Sequence, residues 1–76
     1  MSKWYEGTDG WEEGYEYIDL GYEGDFIAYR RQVSDGGIIY EGDFWNADTG
    51  EKVPAYLDVI VDWDGYWVHA EIIPAE

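Results

Sequence analysis

Two Asp-Gly pairs, Asp35-Gly36 and Asp64-Gly65, each separate two runs in which apolar and polar residues alternate. Asp-Gly is a favoured sequence for a two-residue type I′ turn, and alternation with a period of two is typical of a half-buried strand. Ten glycines interrupt any helical pattern along the chain. The sequence therefore predicts antiparallel hairpins.

Each turn predicts a strand register, because a two-residue loop fixes which residues lie opposite one another. The second turn predicts an apolar face that pairs Trp63 with Tyr66, Val61 with Val68, Val59 with Ala70 and Leu57 with Ile72. The other face then pairs Asp62 with Trp67, Ile60 with His69 and Asp58 with Glu71. The first turn pairs Val33 with Ile38, Arg31 with Tyr40 and Ile27 with Phe44 on its apolar face, and Arg30 with Glu41 behind it. The two turns independently give consistent inner and outer faces, which supports both registers.

A further alternating run, 15–20, leads through a turn at 21–24 and completes a five-stranded antiparallel meander. We expect one all-β domain over 1–76, as a curled sheet or a small barrel. A Gly- and aromatic-rich segment, 1–14, is predicted to pack on the sheet through Trp4, Tyr5 and Trp11, with a homodimer as the alternative cover. Helical spacing within 53–61 and a short helical turn within 8–14 are weaker alternatives.

The chain's 76 residues allow only a thin core, and with no cysteine there is no disulfide to reinforce it. Aromatic residues make up 20% of the chain, and each buried ring removes a large area from water. One short motif, Tyr-Glu-Gly-Asp-Phe, occurs at both 22–26 and 40–44. We interpret it as a repeated strand entry with a structural glycine, and alternatively as a duplicated contact element.

The chain has 18 acidic residues and only four basic ones, which gives a formal net charge of −14. This charge limits the classes of molecule that the protein can bind. Binding to nucleic acid requires Lys and Arg to displace counterions from phosphates, so direct nucleic-acid binding is not expected. Anionic membrane is disfavoured for the same reason, and no apolar run is long enough to span a bilayer. The amino terminus lacks the features of a signal peptide, so a cytoplasmic location is expected.

Catalysis and metal binding find little support in the sequence. His69 is the one histidine, and no base is placed beside a hydroxyl nucleophile. Two oxygen-rich turns resemble calcium-binding loops but lack the EF-hand order, and Asn, Asp and Gly also simply form turns. Their residues are Asn46, Asp48, Gly50 and Glu51 in one loop, and Asp62 and Asp64 in another. We therefore expect no enzyme, cofactor or metal site.

The acids predict the partner-binding surface. Directly opposed like charges destabilise a sheet, so Asp58 opposite Glu71 is costly unless it serves a function. Carboxylates on adjacent strands, ~4.8 Å apart and repeating every ~6.6 Å along a strand, form an array spaced like a phosphate backbone. The predicted contacts are Asp58, Asp62, Glu71, Glu41, Asp43, Asp19 and Glu16, with Tyr22, Trp45 and Trp67 as aromatic anchors.

In size, charge and cysteine-free β-character, the whole chain resembles the small acidic inhibitors of phages and mobile elements that imitate DNA, anti-CRISPR proteins above all. No motif is shared with them. The resemblance implies an inhibitor, monomeric or dimeric, that binds a basic DNA-binding protein, a CRISPR effector subunit being favoured, in a host bacterial cell. The alternatives are a carbohydrate- or calcium-binding module, with Trp45 and Trp67 as a stacking platform, and a salt-adapted structural domain.

Overall fold

The computed structural model describes residues 10–34 and 36–75, which form one antiparallel sheet with strands in sequence order. The strands are β1 (Trp11–Asp19), β2 (Gly24–Ser34), β3 (Gly37–Asn46), β4 (Lys52–Val61) and β5 (Trp67–Pro74), with a 3-10 turn at Gly21–Glu23 between the first two. The five-stranded meander is thus confirmed. Within the described ranges, β1 and β5 do not pair, so the sheet is curled and open and not a closed barrel.

The core lies on one face of this sheet, because the period of two directs alternate side chains to the same side. Its buried members are Ile18, Phe26, Ala28, Tyr40, Ala55, Leu57 and Val59, with Leu20, Ile38, Phe44, Val61 and Ile72 packed against them. The rings of Tyr40 on β3 and Trp67 on β5 lie 6.2 Å apart across the intervening strand. The sheet therefore curls around its own apolar side chains.

A bulge in β2 corrects the predicted pairing of the first hairpin. The register holds from Val33 opposite Ile38 to Arg30 opposite Glu41, then shifts by one residue between Ala28 and Arg30. Phe26 and not Ile27 therefore faces Phe44. An extra residue in one strand moves every later side chain to the other face, and the turn sequence does not signal it.

The second hairpin follows the predicted register from Leu57 opposite Ile72 to Ile60 opposite His69. It then shifts, so that Val61 faces Trp67, and the predicted pair of Asp62 with Trp67 does not form. The connection is longer than a two-residue turn because the Asp62 N–H donates to the Tyr66 carbonyl at 3.0 Å. The Asp-Gly pair lies inside this wider turn.

The predicted N-terminal boundary is also corrected. Residues 11–14, expected in a segment covering the sheet, form the start of β1, and Trp11 lies opposite Gln32. Trp4 and Tyr5 lie outside the described residues. The helical turn expected within 8–14 is replaced by strand over 11–14, and 53–61 is strand and not helix.

The repeated motif has a structural explanation in its two glycines. A Cβ at Gly24 would lie 1.9 Å from the Trp45 carbonyl oxygen, and one at Gly42 would lie 1.9 Å from that of Ile27. Gly42 sits opposite Ala28, directly beside the bulge in β2. Both copies therefore mark points where adjacent backbones approach too closely for any side chain.

We predict that Gly42→Ala destabilises the protein by about 2–4 kcal/mol, because the methyl group must displace neighbouring backbone. Gly50→Ala is the matched control, since Gly50 has a φ of +75° but open space around it. That variant should cost only about 1 kcal/mol, the cost of a left-handed backbone. Urea unfolding measures both, and equal costs would contradict the close-approach explanation.

Candidate functional site: an acidic sheet face

Seven acidic side chains lie on the sheet face opposite the core, and every strand contributes at least one. This set, which we call the acidic face, follows from the strand registers and comprises Glu13, Asp19, Asp25, Glu41, Asp43, Asp58 and Glu71. Among the described residues, the only lysine or arginine side chains on it are those of Arg30 and Lys52. Ile39 is the one fully buried large apolar side chain among the described residues of this face.

Most of the predicted contact residues belong to this face, and four do not. Glu16 lies on the core face opposite Ala28, and Asp62 lies in the β4–β5 turn. Trp67 packs against Tyr40 on the core face, so Trp45 and Trp67 form no shared stacking platform. Tyr22 is fully exposed in the 3-10 turn.

Two members of the acidic face, Glu13 and Asp25, were missed from the sequence. Asp25 lies directly opposite Asp19, and Glu13 lies opposite Arg30. A strand pairing predicted across the turn at 21–24 would have placed Asp25 opposite Asp19. The face on which Glu13 lies is set by the irregularity in β1 between Glu13 and Glu16, and alternation alone does not predict that irregularity.

The cations of this face are already engaged within the chain. Arg30 forms an ion pair with Glu41, and its guanidinium carbon lies 4.3 Å from the centre of the Trp11 ring. The Lys52 ammonium lies 5.3 Å from the centre of the Trp45 ring. One carboxylate of the seven is therefore neutralised by a short ion pair, and the face keeps a strong negative field.

Tyrosine hydroxyls bind two further carboxylates. Tyr29 donates a hydrogen bond to Asp43, which raises the pKa of the Tyr29 phenol because the neutral hydroxyl is the donor. A hydrogen bond to Asp25 likewise raises the pKa of Tyr17. The rings of Tyr15 and Tyr29 meet edge to face with their centres 5.7 Å apart. These contacts hold the carboxylates in place without cancelling their charge.

Two like-charged pairs are directly opposed across strands. Asp58 faces Glu71 between β4 and β5, and Asp19 faces Asp25 between β1 and β2. The His69 Nε2 lies 3.9 Å from a carboxylate oxygen of Glu71. Asp19 also accepts a hydrogen bond from the Gly21 N–H at 2.8 Å, which secures the turn. Such oppositions lower stability, since facing carboxylates lie close together.

A groove of about 370 Å³ opens where β1 and β2 are both irregular, and it is lined by charged residues of both faces. Arg31 donates to Glu12 at 2.9 Å, and this bond raises the pKa of the guanidinium. Burial raises the pKa of Tyr40, which lies beside Glu16 and Arg31. The Arg31 guanidinium also lies 4.0 Å from Glu16, so ion pairs join β1 and β2 across this groove.

Side-chain oxygens of the loop between β3 and β4 accept hydrogen bonds from N–H groups of the same loop. The Asn46 side-chain oxygen accepts the N–H groups of Asp48 at 2.8 Å and Thr49 at 3.1 Å, while Thr49 Oγ1 accepts from Glu51. In the part of the chain that the structure describes, no three His, Cys, Asp or Glu side chains gather around one point where a metal ion would bind. Side-chain oxygens of this loop therefore stabilise its backbone.

Comparison with known proteins adds no assignment: no family model, curated protein or solved structure matches this chain. Residues 10–34 and 36–75 contain no helix long and apolar enough to cross a membrane.

We predict that Asp58→Asn stabilises the fold by about 0.5 kcal/mol at low ionic strength, because it removes the repulsion from Glu71. The gain should shrink as salt screens the pair. Asp48→Asn removes the same charge from an exposed loop and serves as the control. Thermal unfolding at low and high salt measures the difference, and an equal gain from both variants would contradict a local repulsion.

We predict that Asp43→Asn lowers the pKa of Tyr29, since the carboxylate opposes formation of the phenolate. Because the folded pKa lies above the unfolded value of about 10, the contact stabilises the protein fully below that value. The stabilisation is lost as pH rises through the folded pKa. NMR of tyrosines labelled at Cζ, assigned with Tyr29→Phe, follows the titration, and an unchanged Tyr29 midpoint would refute the contact.

Proposed function

We propose that this protein is an acidic DNA mimic that inhibits a nucleic-acid enzyme by occupying its basic DNA-binding site. The favoured target is a subunit of a CRISPR effector complex, which would make the protein an anti-CRISPR acting in the cytoplasm of a host bacterial cell. The protein itself performs no catalysis under this proposal. The acidic face is the contact surface.

The observation that carries the proposal is the concentration of seven acids on one sheet face beside only two lysine or arginine side chains among the described residues. Both cations are engaged, Arg30 by Glu41 and Lys52 by the Trp45 ring. Most of the negative charge on this face is therefore not compensated by these two cations. A basic cleft on a partner is the electrostatically complementary surface.

The arrangement of the carboxylates supports phosphate mimicry. Opposed acids on adjacent strands are separated by about the inter-strand distance of ~4.8 Å, and alternate positions along one strand by ~6.6 Å. Glu41 and Asp43 follow one another on β3 at this second spacing. Arginine and lysine side chains that normally bind phosphate oxygens would form charge-assisted hydrogen bonds with these carboxylates.

The direct opposition of like charges favours a binding role over simple solubility. A solubilising surface gains nothing from placing Asp58 directly opposite Glu71, since the same charges dispersed in loops would repel less. A basic partner removes this repulsion when it binds. The pairs therefore store a free energy that association releases, and Trp45, about half exposed beside them, adds an aromatic contact.

We predict that the combined substitution Asp43→Asn, Asp58→Asn and Glu71→Gln weakens inhibition about 100-fold while the protein stays folded, because relief of the Asp58–Glu71 repulsion offsets the weakened Tyr29–Asp43 contact. Three charge-assisted contacts are lost, and the Asp58–Glu71 repulsion disappears with them. Fluorescence anisotropy of a labelled target duplex, bound by purified CRISPR effector complexes at increasing inhibitor concentration, measures the effect.

The control carries the same change in net charge at exposed positions outside the acidic face, through Glu23→Gln, Asp48→Asn and Glu51→Gln. It should inhibit within a few-fold of the wild type, because the contact surface is intact. Full inhibition by the first variant would show that the acidic face is not the contact surface. Equal losses in both variants would reduce the effect to net charge alone.

A further inference from the structure

Trp63 stands fully exposed at the tip of the β4–β5 turn, with an exposed fraction of 103%. No described ring or cation contacts its indole. Tryptophan is the side chain most enriched among binding hot spots, because a single indole removes a large area from water when it is buried by a partner. Exposure alone does not define a site, but the surroundings of Trp63 do.

The turn that carries Trp63 is fixed by hydrogen bonds on both sides of the indole. Asp62 Oδ1 accepts the N–H of Asp64 at 3.0 Å and the N–H of Tyr66 at 2.9 Å. The Gly65 N–H donates to the Asp62 carbonyl at 3.1 Å. The indole is therefore presented from an ordered backbone, which reduces the entropy lost on binding.

A groove of about 600 Å³ runs beside the indole and is lined by Gly36, Val61, Asp62 and Trp63. Among the described lining residues, the apolar walls are the Trp63 indole and the Val61 side chain, Gly36 contributes no side chain, and Asp62 contributes a carboxylate. A long side chain with an apolar stem and a cationic head matches this lining. Arginine fits better than lysine, because a planar guanidinium stacks on an indole while it donates to a carboxylate.

The chain uses the same pairing at two of its other tryptophans. Arg30 lies over Trp11 and Lys52 lies over Trp45, while Trp67 packs against a tyrosine ring. The remaining described cation, Arg31, is bound to Glu12. No arginine or lysine in 10–34 or 36–75 is thus left to cover Trp63, and the indole is open to a cation from a binding partner.

We propose that Trp63 and Asp62 form a receptor for an arginine side chain of the basic partner. The partner's basic character rests on the proposed function, whereas the receptor itself rests on the turn and groove geometry. The arginine stem lies along Val61, the guanidinium stacks on the indole, and its N–H groups donate to the Asp62 carboxylate. This contact adds a second binding site for the partner, in the β4–β5 turn and outside the acidic face.

The test is an NMR titration of the full chain, labelled with ¹⁵N, with tetra-arginine and tetra-lysine peptides. The Trp63 indole N–H, assigned from its loss in Trp63→Phe, should shift saturably with tetra-arginine and more weakly with tetra-lysine. Trp63→Leu keeps an apolar side chain without the aromatic face, and it should lower tetra-arginine affinity about threefold. Wild-type hydrogen-exchange rates at the Asp64 and Tyr66 amides, whose N–H groups donate to Asp62, would verify that its turn is intact.

The outcomes separate this proposal from the function of the acidic face. Shifts confined to the amides of Asp58 and Glu71, with a stationary Trp63 indole, would overturn the arginine receptor and leave the DNA-mimic function standing. A saturable Trp63 response would support the receptor even if neutralising the acidic face left inhibition unchanged. Equal affinities of Trp63→Leu and the wild type for tetra-arginine would overturn it.

Discussion

Close approach of neighbouring backbones at Gly24 and Gly42 is the constraint on which the rest of the structure depends. Each glycine faces a carbonyl oxygen of the adjacent strand at a distance that admits no Cβ. Beside Gly42, the extra residue in β2 bends the strand and strengthens its twist. Glycines and bulges are the devices by which a sheet acquires curvature. Here they let one five-stranded sheet curl around a core that a flat sheet would leave exposed.

The acidic face is the other consequence of the same sheet. Because side chains alternate, the strands that bury Tyr40 and Leu57 on one side direct Glu41 and Asp58 to the other. Arg30, Tyr17 and Tyr29 hold individual carboxylates through ion pairs or hydrogen bonds. The fold thus fixes a dense set of charges on a rigid element, and electrostatic repulsion between opposed acids is tolerated at a cost in stability.

Alternation and turn chemistry were enough to predict the five strands, their order and the Asp58–Glu71 opposition. They failed where one residue was added to a strand or turn. Nothing in the residues around Tyr29 distinguishes Phe26 from Ile27 as the core residue, so the β2 bulge was not predicted. Asp62 was read as a strand residue because its side chain's capture of two backbone N–H groups emerges only in the folded turn. That error also placed Trp67 on the wrong face of the sheet and included Asp62 in the predicted array of carboxylates.

Whether the acidic face substitutes for DNA phosphates can be tested by measuring the protein's affinity for the effector that it inhibits across a salt series. We expect this affinity to fall steeply as salt rises, because charge-assisted contacts are screened. We also expect that duplex DNA and the protein exclude one another from the effector. Affinity that is indifferent to salt, or a stable ternary complex of effector, DNA and protein, would contradict DNA mimicry.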